Sequence, residues 1–231
     1  MLDVLYPPRC LTCTEPTEQG ASLCAECWAN TTFITGAICD VCGTPLPGET
    51  GGKIKCDSCI ARRPEWDIGR AAVIYAGGGR RVVLSLKHGD RLDLARPLAE
   101  WMARSGDELF DKADVIAPVP LHWRRLFKRK FNQSAELARH LSAISGIEYV
   151  PDLLIRNKPT PSQDGLTRAE RHENQRGVFS LHKHRDVPKN VLLIDDVMTT
   201  GATLSACAEA LRAAGAERID ALVLARVARD E

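Results

Sequence analysis

The chain has 231 residues, room for one domain of moderate size with a small companion, and its 44% hydrophobic and 26% charged residues exclude wholesale disorder. Lys and Arg number 31 against 30 Asp and Glu, a formal net charge of +1. That excludes a generally basic wrapper of nucleic acid, though not a local basic patch. No apolar run reaches the roughly 18 residues a membrane span needs. Met1–Cys10 has neither the basic start nor the long apolar stretch of a secretion signal, so a cytoplasmic location is expected.

Eight of the nine cysteines lie in the first 59 residues, as four CxxC pairs: Cys10/Cys13, Cys24/Cys27, Cys39/Cys42 and Cys56/Cys59. A disulfide scaffold needs an oxidising compartment. A redox CxxC normally occurs once, near a βαβ pattern. Zinc explains the spacing better, since two thiolates two residues apart form a tight knuckle and two knuckles complete a tetrahedron. Ten residues separate the first two pairs and thirteen the last two, enough for a short hairpin in each gap. The reading is a double ribbon with knuckle one paired to two and three to four, although spacing leaves interleaved pairing open. It holds one or two ions, structural rather than catalytic. Metal would supply the folding energy of a segment too small for its own core.

Cysteines stop and periodic apolar segments begin near Arg62–Asp67, so the division falls into 1–64 and 65–231. Arg70–Tyr75 reads as a strand and Gly77, Gly78 and Gly79 as a turn. It is not a dinucleotide fingerprint, because Val82 stands where the third glycine belongs. Arg80–His88 suits a short helix and Leu94–Arg104 a longer one, with Pro97 in its first turn. Asp114–Ala117 is a short buried strand. Ser134–Ile144 has helical apolar spacing and Gly146 as its stop. Asn157–Phe179 is polar, with Pro159, Pro161 and Gly165, and a loop of that length is usually functional or mobile. Val191–Ile194 is an apolar strand, Ala202–Ala214 a helix ended by Gly215, and Ile219–Leu224 the last strand. Strands alternating with helices imply a parallel α/β sheet. Cys207, alone on the last helix, reads as a small core residue.

The most informative stretch is VLLIDDVMTTGAT, Val191–Thr203. An apolar strand runs into two carboxylates, then a hydroxyl- and glycine-rich turn, then a helix. Ligands of open α/β sheets bind at the carboxyl ends of strands. The turn from Met198 to Thr203 can present several backbone amides to one anion at a helix start. Thr199, Thr200 and Thr203 add hydroxyls, and Gly201 allows close approach. Asp195 and Asp196 would repel a phosphate unless they serve another part of the ligand, and sugar hydroxyls are their natural partners. The ligand class is therefore a sugar phosphate. A Walker A loop is excluded, since no Gly-Lys-Ser/Thr follows. The bland alternative, an acidic strand end with Thr200 as N-cap, suits the dipeptide better than the whole string.

DDVMTTGAT resembles the phosphoribosyl-pyrophosphate (PRPP) motif of type I phosphoribosyltransferases. The wider chain resembles the ComF family, competence-associated proteins with a zinc-binding N-terminus and a phosphoribosyltransferase-like domain. The resemblance rests on the knuckles, on Leu86-Lys87-His88-Gly89-Asp90, on Pro118–Ser134 (PVPLHWRRLFKRKFNQS), on Lys158–Phe179 and on the PRPP motif. One departure is Lys130, where the family usually has glycine between Arg129 and Phe131.

The resemblance implies a type I phosphoribosyltransferase-like parallel sheet with helices on both faces, preceded by the zinc ribbons. It implies that Asp195 and Asp196 hold the ribose hydroxyls of PRPP, and that the turn formed by Val197, Met198, Thr199, Thr200, Gly201, Ala202 and Thr203 holds the 5′-phosphate. A Mg²⁺ ion would accompany the pyrophosphate. The loop after the Asp114–Ala117 strand matches the superfamily's pyrophosphate loop, with Arg124, Arg125, Lys128, Arg129 and Lys130. Arg129 and Lys87 join the two acids as candidate catalytic groups. Lys158–Phe179 would be a hood over the site, with Lys158, Gln163, Arg171 and Asn174 at family positions. The implied role is DNA uptake or utilisation, with phosphoribosyl transfer to an unknown acceptor. The alternative is a non-catalytic module for single-stranded DNA or a competence helicase. Trp123, Phe127 and Phe131 interleave with the basic residues as in single-strand binders.

Overall fold

The computed structural model describes residues 7–18, 20–48, 52–88, 91–121, 131–157 and 177–228. The N-terminal part carries two short helices, α1 (Ala25–Ala29) and α2 (Asp57–Ala61). The body follows as β1 (Gly69–Ile74), α3 (Gly77–His88), α4 (Ala95–Ser105), α5 (Asp107–Phe110), β2 (Val115–Pro118), α6 (Gln133–Ser145), β3 (Glu148–Tyr149), β4 (Leu154–Arg156), β5 (Phe179–Leu181), β6 (Asn190–Met198), α7 (Ala202–Ala214) and β7 (Arg218–Arg226). Five strands form one sheet in the order β1-β7-β6-β2-β3, and every pair is parallel. β4 and β5 form a separate antiparallel pair.

The central strands β6 and β7 are buried on both faces, as their continuous apolar runs demand. On one face Val82, Val83 and Leu86 of α3, Leu98 and Met102 of α4 and Leu137 and Leu141 of α6 pack on Ile116, Leu192, Ile194, Leu222 and Leu224. On the other face Leu204, Cys207, Ala208 and Leu211 of α7 pack on Val115, Leu193, Ala221 and Val223. Helices thus cover both faces, and Cys207 is a fully buried core residue. Asn132 caps α6 by accepting the Ser134 amide, and Gly146 and Gly215 end α6 and α7 in left-handed conformations.

Two elements differ from the sequence reading. Gly77–Gly79 is not a turn but the first turn of α3. Glycine is needed there for space: a β-carbon on Gly78 would stand 2.0 Å from Thr31 Oγ1, and one on Gly79 2.2 Å from the Ile74 carbonyl oxygen. The strand expected over Val191–Ile194 runs on to Met198, because β7 continues to pair with Asp195, Val197 and Met198.

The cysteine-rich part straddles β1, the edge strand. Leu11 joins the core on the α3/α4 face, while Cys39, Val41, Cys42, Cys56 and Cys59 join the core on the α7 face. Between them, residues 32–34 lie antiparallel along β1: Phe33 bridges Val73, the Ile34 amide donates to the Ala72 carbonyl at 2.9 Å, and the Ile74 amide to the Thr32 carbonyl at 2.9 Å. The exposed edge is covered by the chain's own backbone.

Candidate functional site

The eight cysteines fall into two clusters, Cys10/Cys13/Cys24/Cys27 and Cys39/Cys42/Cys56/Cys59, and within each the sulfurs lie within 4.8 Å of one another. Knuckle one therefore pairs with two and three with four, which resolves the interleaving left open by spacing. The two ribbons repeat one design. Cys24 and Cys56 each cap a short helix, and their amides donate to Cys10 Sγ and Cys39 Sγ at 3.3 Å. The Cys13–Cys24 and Cys42–Cys56 sulfurs are 3.6 and 3.7 Å apart. A tetrahedral zinc with Zn–S of about 2.3 Å sets sulfurs about 3.8 Å apart, so both clusters fit the ion. The sulfurs cannot all ionise alone. Hydrogen bonds from Cys39 and Cys59 hold Cys42 down to about 2, while the Cys39 and Cys42 sulfurs push Cys59 far up. A cation among them lets all four be thiolates. These are two structural zinc sites.

The other site lies where β6 ends. Asp195 Oδ1 accepts from Ser134 Oγ at 2.9 Å and from the Asp196 amide at 2.9 Å. Asp196 Oδ2 pairs with Lys87 Nζ at 3.1 Å, both side chains largely shielded from solvent. Lys87 comes from the end of α3 and Ser134 from the start of α6, so three segments far apart in sequence meet at the two acids. Burial, followed by the charge of Asp196, raises the Asp195 carboxyl to about 7. Ser134 is a residue the sequence reading did not single out. Its one signal is its place two residues beyond the capping Asn132, whose side chain also donates to the Val119 carbonyl at the end of β2.

Past Met198 the chain turns through Thr199 and Thr200 to Gly201, which sits at φ +80°. Thr200 Oγ1 accepts the Ala202 amide at 3.3 Å. Among the described residues, the amides of Thr199, Thr200 and Gly201 meet no protein acceptor. Trp66 is packed against the turn, such that a β-carbon on Gly201 would stand 2.4 Å from its ring. Lys87, Asp195, Asp196 and the 197–203 turn thus gather in one place. Arg129, with Arg124, Arg125, Lys128, Lys130, Trp123 and Phe127, lies outside the described residues, as do Gly89, Asp90, Lys158, Gln163, Arg171 and Asn174.

Comparison with known proteins agrees with both halves. Residues 1–60 match the family model described as double zinc ribbon domain, and residues 132–231 match the phosphoribosyl transferase domain. Fold and clusters together define a phosphoribosyltransferase-like parallel α/β body carrying a double zinc ribbon. The similar proteins share both parts. Competence protein F of Haemophilus influenzae is 29% identical over 88% of this chain and 96% of its own length. DNA utilization protein YhgH of Escherichia coli is 28% identical over 95% and 97%, and competence protein ComFC of Bacillus subtilis 26% over 88% and 82%. Over most of its length the chain is thus similar to proteins named for competence and for DNA utilization. Among solved structures, one described as the allosteric regulatory enzyme of purine biosynthesis aligns with 61% of this chain and 30% of its own, at 20% identity and a TM-score of 0.41.

Proposed function

We propose that the chain binds PRPP at the end of β6 and acts in DNA uptake or utilisation. The observation that carries the binding reading is the juxtaposition of two anchored acids with a turn in which the Thr199, Thr200 and Gly201 amides meet no acceptor among the described residues. Amides at a helix start suit the 5′-phosphate, and the carboxylates suit the ribose hydroxyls. Lys87 supplies a positive charge beside the acids and is the described group best placed to meet the pyrophosphate. Arg129 is proposed to act with it. A Mg²⁺ ion bound with PRPP would neutralise the pyrophosphate as it leaves. The donor set fits, since hard cations take carboxylate, ligand and water oxygens. Transfer to an acceptor is the catalytic form of this reading.

The names of the relatives speak of competence and DNA utilization, and the matches run nearly end to end, which supports the DNA role. Single-stranded DNA or a helicase is the partner class, with the basic and aromatic 123–131 segment as its proposed contact. Calorimetric titration of PRPP with Mg²⁺ into wild type and into the Asp195→Ala/Asp196→Ala double variant tests the site. Loss of charge-assisted hydrogen bonds should weaken binding by roughly tenfold or more. Equal heats, or none from either protein, would remove the PRPP reading. DNA affinity that falls steeply with salt and survives Asp195→Ala would favour the non-catalytic module instead.

A further inference from the structure

The second ribbon is built into the turn proposed to hold phosphate. Trp66, only 3% exposed, donates from Nε1 to the carbonyl of Val41, inside the Cys39–Cys42 knuckle, at 2.8 Å. Its ring fills the space where Gly201 would otherwise carry a side chain. A second tie runs parallel to the first. The fully buried Arg226, at the end of β7, donates from one nitrogen to the Cys42 carbonyl at 2.6 Å and to Met198 Sδ at 2.8 Å. Met198 is the last residue of β6, and Gly201 precedes α7. The two ties therefore grip the turn at both ends and fasten both to one knuckle. The thiols Cys42 and Cys59 also line a single cavity of about 40 Å³ together with Trp66, Thr200, Ala202 and Ser205. Among the described residues, none of the first ribbon lines this cavity.

We propose that Trp66 and Arg226 are positioning residues that couple metal in the second cysteine cluster to the conformation of the 199–201 turn, so that the PRPP site is complete only when that cluster is loaded. This rests on the PRPP reading above. A knuckle's backbone is shaped by its metal, and Val41 and Cys42 lie between and on the ligands of this one. Losing the metal frees the carbonyls that hold Trp66 and Arg226, and the turn loses its backing. Coupling between two sites is reciprocal, so PRPP must in turn stabilise metal in the second cluster.

The test uses the full-length, zinc-loaded chain and has two readouts. The first is PRPP–Mg²⁺ affinity by calorimetry for wild type, Trp66→Ala and Trp66→Phe, each checked for folding by melting. Trp66→Ala should bind about tenfold more weakly, and Trp66→Phe, which keeps a ring over Gly201, should recover most of that loss. The second is the rate of zinc release to a chelator, with and without saturating PRPP. Wild type should release two ions in two phases, with PRPP slowing one of them and leaving the other unchanged. The slowing should vanish in Trp66→Ala. This readout needs only wild type, so it holds even where the alanine variant folds poorly. Wild type that binds PRPP while neither release phase responds would overturn the coupling and leave the binding site standing. Wild type that takes up no PRPP would overturn the binding site itself.

Discussion

Asp195 has a carboxyl raised to about 7, first by burial and then by the neighbouring Asp196 charge. An unfolded aspartate titrates near 3.9. Between the two values the native chain keeps a proton that the unfolded chain has lost, so stability falls as pH rises through this window and is level above it. Asp195→Asn keeps the acceptor for Ser134 and removes the titration. It should melt above wild type at about pH 8, with the gap closing towards about pH 4, and it should bind PRPP more weakly. A melting difference independent of pH would count against this. A second single-residue contrast lies in the ribbons. Thr14 and Gly43 occupy corresponding knuckle positions, both at φ 66°. A β-branched residue there costs about 1–2 kcal/mol. Thr14→Gly should therefore raise the melting temperature. Gly43→Ala should lower it, because its new β-carbon would meet the Gly69 carbonyl oxygen at 2.8 Å. The cysteines and Asp195–Thr203 were legible in sequence, since spacing and local chemistry define them. Ser134 and Trp66 were not. Their partners, Asp195 and Gly201, are reached only through the fold, and no local period encodes that meeting.

At the scale of elements, α7 was readable to its ends because Gly201 and Gly215 punctuate it. The start of α3 was not readable, since three successive glycines normally mark a turn and only the approach of Asn30, Thr31 and Ile74 makes them necessary in a helix. The continuation of β6 was hidden for a related reason: pairing with β7, not apolarity, keeps the two aspartates in strand. The packing of α3 can be tested. Gly78→Ala would drive a methyl group onto Thr31 Oγ1, which is itself tied to the Cys27 carbonyl at 2.7 Å. The variant should melt lower and release zinc from the first cluster faster. Adding Thr31→Ala should recover part of the melting loss, a non-additivity expected of touching residues. Strict additivity of the two losses would refute the contact.

On the scale of the whole molecule, the ribbons and the body share their cores. Cys39, Cys42, Cys56 and Cys59 sit in the same apolar cluster as Leu193, Leu204 and Val223. Removing zinc should therefore lower the melting temperature of the entire chain in one transition, not strip off an independent module. A chain begun at residue 65 would lose the cover of β1 and expose an edge strand of alanine, valine and isoleucine. Such edges pair with other copies, so this fragment should elute as aggregate on size exclusion. A well-behaved monomer would show that the edge needs no cover. The interlocking of ribbons and body was not legible in composition, because it depends on Gly43, Gly69 and Trp66 fitting closely against one another.

The backbone segment 32–34 along β1 has a consequence for synthesis. Within the sheet β1 has one neighbour, β7, which begins only at Arg218. A nascent chain must therefore hold β1 without its sheet neighbour until residues 218–226 have been made, a condition that invites misassociation. The Thr32–Ile34 strip leaves the ribosome before β1 does and can shield one margin from the moment β1 emerges. In that order of synthesis the amino-terminal part would act as a built-in escort, holding the first strand ready until β7 arrives.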